Sequence, residues 1–198
     1  MPRRMILLAA VASGIAVAAL LAVLRNSSAT GSTPGGKLAQ ISNDGEAIVP
    51  GPNQQKELQI VGAVSARRLA RRDGRTFYRL ARLDGSHCYS VNASSVEDRI
   101  GGAMCPQTEA AFPSPGRPIL DLSLFESTTH VRGDMHVVNG QGFAADGVAS
   151  VALLDENGRT ITRADARKNV YALDVPQGQV ATTIVAYDDD GAEVARIP

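Results

Sequence analysis

Residues Met5–Leu24 constrain this chain more than any other feature. Only Ser13 and Gly14 in these 20 positions are not clearly apolar. At about 1.5 Å rise per residue such a helix spans about 30 Å, the thickness of a bilayer's hydrocarbon core. A soluble domain has no use for a helix that is apolar on every side. Arg3, Arg4 and the α-amino group precede the run, and Arg25 alone follows it directly. The positive-inside rule then keeps the N-terminus in the cytoplasm and exports the rest. A cleaved signal peptide is the rival reading. Its apolar region is normally about 7–15 residues and ends at a small-x-small site, for which Ser27-Ser28-Ala29 would serve. The length of the run and the position of Arg25 favour an uncleaved single-pass anchor over residues 1–25. Both readings export residues 30–198, to the extracellular side of the cell membrane or, after cleavage, to secretion. No Cys precedes Cys88, so no thiol stands at the end of the run for lipid attachment.

Residues 26–54 are small, polar and rich in Gly and Pro, from Asn26-Ser27-Ser28 to Gly51-Pro52. Such a stretch buries too little apolar surface to offset the entropy of ordering it. It reads as a flexible linker, in which Ile41, Ile48 and Val49 could supply one short docked strand.

The 198 residues carry 20 Lys+Arg against 20 Asp+Glu, and this neutrality argues against a nucleic-acid partner. The charge is unevenly placed. Residues 26–118 hold 11 basic and 8 acidic groups, and residues 119–198 hold 6 basic and 12 acidic. With 19 Gly, 10 Pro and no Trp, a long helical bundle is disfavoured.

Residues 55–118 read as a β-rich module. Asp73-Gly74 and Asp84-Gly85 suit the positive-φ positions of type I′ hairpin turns. They bracket a strand-length run, so a meander over 64–72, 75–83 and 86–92 is expected. Leu58–Val64 fits a helix or a strand equally. Cys88 and Cys105 are the only thiols. In an exported chain they are expected to form one structural disulfide. Closing a loop of this length contributes roughly 3 kcal/mol in the chain-entropy account. Four prolines between 106 and 118 then give an extended connector.

Seven arginines fall in the hairpin: Arg67, Arg68, Arg71, Arg72, Arg75, Arg79 and Arg82, with Asp73 as the one acid among them. One reading is an anion-binding surface for lipid headgroups, an anionic envelope polymer or an acidic protein. The other is a solvated hairpin whose charges block edge-to-edge aggregation, or pair with the acidic C-terminal half. Strand alternation puts Arg68 and Arg72 on one face and Arg67 and Arg71 on the other, so the charge is not one-sided.

Residues 119–198 carry about seven short strand signals with Gly-containing turns between them, a spacing that points to a β-sandwich. Leu120, Leu122 and Leu124 alternate onto one face. The segment Val138-Asn-Gly-Gln-Gly-Phe-Ala-Ala-Asp-Gly-Val-Ala-Ser-Val-Ala-Leu-Leu-Asp-Glu-Asn-Gly158 resembles the repeated pattern of bacterial immunoglobulin-like modules. The later Asn169-Val-Tyr and the Val-Ala-Tyr-Asp-Asp-Asp-Gly turn ending at Gly191 are similar to that family's closing hairpin. The resemblance covers residues 119–198, and here the module stands alone instead of in tandem. It implies extracellular spacing, display or adhesion, and carries over no functional residues. The expected fold is therefore all-β: a disulfide-tied β-meander, then an immunoglobulin-like β-sandwich, preceded by one N-terminal transmembrane helix.

No catalytic, metal or cofactor residues are assigned. Asp188, Asp189 and Asp190 are consecutive and cannot converge on one hard cation, so a solvated turn is expected. Arg132-Gly133-Asp134 is a tripeptide that chance explains in this composition. Asn26 and Asn92 match glycosylation acceptors that matter only in a eukaryotic secretory pathway. The functional expectation is a non-enzymatic, membrane-anchored envelope protein with an extracellular binding module. The alternatives are a hydrolase or carrier built from His87, His130, His136 and scattered Asp, and a purely structural spacer.

Overall fold

The computed structural model describes residues 34–93, 99–106, 112–127 and 135–198. The apolar run at 5–24, His130 and Arg132-Gly133-Asp134 lie outside the described residues. Among the described residues no helix is long and apolar enough to cross a membrane. Residues 34–198 form one compact unit.

After a single helical turn α1 (Pro34–Lys37) come β1 (Glu46–Ala47) and helix α2 (Pro52–Ile60). Pro52 suits the first helical position, and Gln54 Oε1 accepts the Gly51 N–H at 3.1 Å. Gly62, with φ of 68°, ends the helix, so the segment open to either structure is helix first and strand after. Strands β2 (Ala63–Arg72), β3 (Arg75–Arg82) and β4 (His87–Asn92) make the expected antiparallel meander. β1 and β5 (Ala103–Met104) complete a five-stranded sheet in the order β1-β2-β3-β4-β5. The first hairpin turn has both Asp73 (φ 48°) and Gly74 (φ 72°) in left-handed backbone, as type I′ requires. The second differs from expectation, because only Gly85 is left-handed, at φ 81°. Here Leu83 joins the loop, Arg82 and Ser86 close it at 3.0 Å, and Asp84 accepts the Ser86 N–H at 2.9 Å.

The disulfide joins Cys88 on β4 to Cys105, with Cα atoms 4.1 Å apart. It is not the sole restraint on its loop. Ile100 is buried against Leu58, Tyr78 and Leu80, its carbonyl accepts Ser90 Oγ at 2.7 Å, and its N–H donates to Glu57. Burial pushes the Glu57 carboxyl up. The Ile100 N–H and the Arg99 guanidinium outweigh that and hold it below the usual carboxylate value.

The C-terminal half forms two further sheets. In the first, β8 (Met135–Ala144) is flanked by β11 (Val170–Asp174) on one side and by β6 (Ile119–Asp121) and β7 (Leu124–Ser127) on the other. The second has the order β10-β9-β12-β13, from β9 (Ser150–Leu154), β10 (Thr160–Asp165), β12 (Thr183–Tyr187) and β13 (Glu193–Ile197). Val137, Val151, Leu153, Tyr171, Leu173 and Ile184 fill the space between these two sheets. The three alternating leucines do not share one fate. Asp121 accepts the N–H and hydroxyl of Ser123, which breaks the strand, so Leu120 is buried while Leu124 is 54% exposed.

The other face of the β8 sheet is also buried. Phe143 packs edge-on to Phe77 with ring centroids 5.6 Å apart and against Tyr89 at 5.0 Å. Leu69, Leu120, Val170 and Ala172 join the same cluster. Each fully buried Phe contributes about 1.5–3 kcal/mol. The stretches 55–118 and 119–198 thus share a core, and the molecule is three β-layers deep. The N-terminal meander is the outer layer, and α2 covers its far side.

The stretch read as a flexible linker is docked over residues 37–49. Leu38 packs on the innermost core, Ile41 on the Phe143 cluster and Ile48 on the Leu58 cluster. The segment therefore straps all three layers. Its polar groups find partners: Ser42 N–H donates to Asp146, the Asn43 side-chain Nδ2 to the Leu69 and Lys168 carbonyls, and β1 pairs with β2. Composition signalled a linker because polar residues dominate. Three well-spaced apolar anchors and these hydrogen bonds offset the ordering entropy.

Asn169 is the hub of the strap. It is buried, its Oδ1 accepts the Asn43 N–H at 3.2 Å, and its Nδ2 donates to Ala144 O at 2.9 Å and Asp146 Oδ1 at 2.7 Å. Its backbone is left-handed at φ 62°, so Asn169→Gly keeps the turn and removes only the hub. That variant is expected to lose about 1–3 kcal/mol, with faster amide exchange at residues 42–48. Gly142 is the tightest point of β8: an added Cβ would lie 2.2 Å from Leu120 O and 2.6 Å from Tyr171 Oη. Gly142→Ala is expected to cost at least about 2 kcal/mol in thermal or urea unfolding.

Candidate anion-binding surface

β2 and β3 spread the seven hairpin arginines over both faces of the outer sheet, and the structure gives them partners. Arg67 donates to the carbonyls of Asp44 and Gly45 on the strap. Arg68 pairs with Glu46, and Arg79 with Asp44 at 3.1 Å. Three of the seven thus hold the strap to the meander. Arg75, only 8% exposed, reaches across to Asp174 on β11 at 2.5 Å. Arg72 donates to the carbonyls of Asp165 and Val170 and lies 3.5 Å from Asp73. Arg82 meets Asp84 at 3.4 Å in its own hairpin. Much of the arginine run is therefore spent on joining layers.

Arg71 and Arg72 also line a trough of about 450 Å³ where β2 meets the β10–β11 turn. Its other lining residues are Arg167, Lys168, Asp165, Ala70 and Val170. Arg167 ion-pairs with Asp165 at 2.7 Å. Four cationic side chains thus face one carboxylate. Arg71, Arg167 and Lys168 are exposed, whereas Arg72 is half-buried and fixed by its carbonyl acceptors. Arg167 and Lys168 did not figure among the sequence candidates. The available signal was weak: Lys168-Asn169 forms a type I′ turn without glycine, and only the Asn hints at left-handed backbone.

A second, larger concavity of about 630 Å³ lies at the β9–β10 turn, with Asp155, Glu156, Arg159, Gln179, Val180 and Thr182 on its walls. Asp155 is held there by its own turn: it accepts the Arg159 and Asn157 N–H groups and the Arg159 guanidinium, which lower its pKa. Asp188 repeats the arrangement, accepting the Asp190 and Ala192 N–H groups at 3.1 and 2.8 Å. The Asp188–Asp190 run thus forms a hairpin turn closed by Gly191 at φ 80°. Among the described residues no three His, Cys, Asp or Glu side chains are grouped to hold a metal.

His87 and His136 do not meet. His87 opposes Ala81 on the outer sheet, where burial and then the Arg79 charge lower its pKa. His136 lies on β8, and its buried Nδ1 has no hydrogen-bond partner. Neither is paired with a carboxylate among the described residues. Asp121 is half-buried and accepts Tyr171 Oη at 2.9 Å and the Ser123 hydroxyl. Burial pushes its pKa up against the lowering effect of these donors. Burial, together with Asp121, pushes the Tyr171 phenol well up.

Comparison with protein-family models, with curated proteins and with solved structures finds no match for this chain.

Two outcomes follow from this geometry. Arg75→Gln is expected to cost about 1–3 kcal/mol in unfolding experiments, because it leaves a near-buried site at the layer junction half-satisfied. For Asp121, a raised folded-state pKa means that its ionisation opposes folding. The penalty begins as pH rises past the unfolded value of 3.8 and is complete above the raised value. Asp121→Asn, which keeps an acceptor oxygen for Tyr171 and Ser123, is expected to flatten that part of the stability–pH curve without lowering stability at pH 7.

Proposed function

We propose that this chain is a non-enzymatic cell-envelope protein, anchored N-in by residues 5–24, which presents residues 34–198 outside the membrane as a binding module. The observation that carries this reading is the Cys88–Cys105 disulfide. It uses both thiols of the chain, and Cys88 is fully buried. Structural disulfides of this kind persist in oxidising compartments, which fits export behind an apolar leader.

Within the module we read residues 119–198 as an immunoglobulin-like domain. The strand order supports this: β6/β7-β8-β11 faces β10-β9-β12-β13 across one core. The resemblance to bacterial immunoglobulin-like modules implies a role in spacing, display or adhesion. The concentration of basic side chains around β2 supports binding of an anionic envelope polymer or an acidic protein. A purely structural spacer is the second reading, favoured by the internal pairing of Arg67, Arg68, Arg75 and Arg79.

The test is topological. In cells expressing the full chain, it should sediment with membranes and resist alkaline carbonate. External protease should reach residues beyond the leader, and maleimide should label neither cysteine until reductant is added. Two free thiols on a chain protected from external protease would refute the reading.

A further inference from the structure

We propose that the trough between β2 and the β10–β11 turn is a binding site for a segment of an oxyanion-bearing polymer, with Arg71, Arg72, Arg167 and Lys168 as its cationic walls. This deepens the reading of the chain as a binding module and rests on it.

Three observations converge. The first is charge. Four cations and one carboxylate line a concavity of about 450 Å³, within the range of sites that hold small ligands or short polymer segments. The second is rigidity. Arg72 is anchored by the carbonyls of Asp165 and Val170, so its positive charge is fixed at the wall. Guanidinium groups match the planar, two-oxygen geometry of phosphate and carboxylate. The third is the backbone at Lys168. It sits in left-handed conformation at φ 55°, where a lysine side chain is unfavourable and Asn or Gly would be favoured. The surrounding structure imposes that conformation. Val170 N–H closes the turn on Arg167 O at 3.2 Å, Asn43 Nδ2 donates to Lys168 O at 2.8 Å, and Asn169 is locked by its three hydrogen bonds. That conformation places the Lys168 side chain in the lining of the trough, beside Arg71, Arg72 and Arg167.

The site joins two elements. Arg71 and Arg72 from β2 and Arg167 and Lys168 from the β10–β11 turn line one concavity together with Ala70 and Val170. Successive anionic groups of one polymer segment can therefore meet both elements at once.

The experiment uses the full chain in nanodiscs of neutral phosphatidylcholine. Fluorescent long-chain polyphosphate and polygalacturonate are titrated at low salt, and these two arms separate a phosphate from a carboxylate source. At least one polymer should bind, protect the Lys168 amine from acylation, and release when salt is raised to about 0.5 M, where screening is short-ranged. The double variant Arg71→Gln/Lys168→Asn should bind at least about tenfold more weakly, through loss of charge-assisted contacts. Lys168→Asn alone should leave the melting temperature unchanged or raise it, which separates lost binding from lost folding. The proposal is overturned if neither polymer binds, or if the folded double variant binds as tightly as the parent. It is equally overturned if Lys168 is protected only in discs containing phosphatidylglycerol, which would assign the trough to lipid. None of these readouts depends on where the chain resides in the cell, so failure here is distinct from failure of the envelope assignment.

Discussion

The structure depends on one stretch of strand, Gly140–Ala144 of β8, that is buried on both faces. β8 carries Gly140, Gly142 and Ala144 toward the β9–β12 sheet, and Gln141 and Phe143 toward the meander. On the first side Tyr171 and the Leu120 carbonyl leave no room for a Cβ at Gly142, and Leu153 and Leu173 approach to 3.1 and 3.3 Å of where one would stand at Gly140. On the other side Phe143 makes the aromatic contacts that attach the first half of the chain. A strand buried on both faces must match two surfaces at once. It does so by being thin on one face and bulky on the other.

That constraint explains the rest of the architecture. A two-layer body would leave the Phe143 face open to water. The meander of β2, β3 and β4 closes it and needs its own cover, which α2, Ile100 and the disulfide-bonded segment supply. The strap then runs across the stack, placing Leu38, Ile41 and Ile48 in three successive clusters. Its polar contacts concentrate at Asn169 and Asp146, whose side chains satisfy backbone groups of the strap. Apolar burial supplies the attachment and the hydrogen bonds supply the register.

The electrostatics follow the same plan. A neutral chain with a basic middle and an acidic end folds so that part of the basic hairpin is matched internally. Arg75 meets Asp174, and Arg67, Arg68 and Arg79 meet the strap. A second basic group gathers where the meander meets the β10–β11 turn. There Arg71 and Arg72 come beside Arg167 and Lys168, nearly 100 residues away in sequence.

Local chemistry was legible in the sequence. Asp73-Gly74 set a type I′ turn because only left-handed backbone closes a two-residue hairpin with the right twist. Alternation set the strands from 63 to 92 and from 135 to 197, and two cysteines allow only one pairing. What alternation cannot say is which surface a face will meet. Phe77, Tyr89 and Phe143 are each visible as apolar strand residues, but their meeting across layers is a matter of tertiary packing. The break at Asp121-Ser123, the docking of a polar strap and the sorting of arginines into internal partners and trough walls were likewise decided there. The sequence by itself determined the strands, the turns and the disulfide, because these depend on residues within a few positions or on having no other partner. The tertiary structure alone decided which charges meet the strap and the β8 sheet and which line the trough, because that depends on what distant segments bring within a few ångströms.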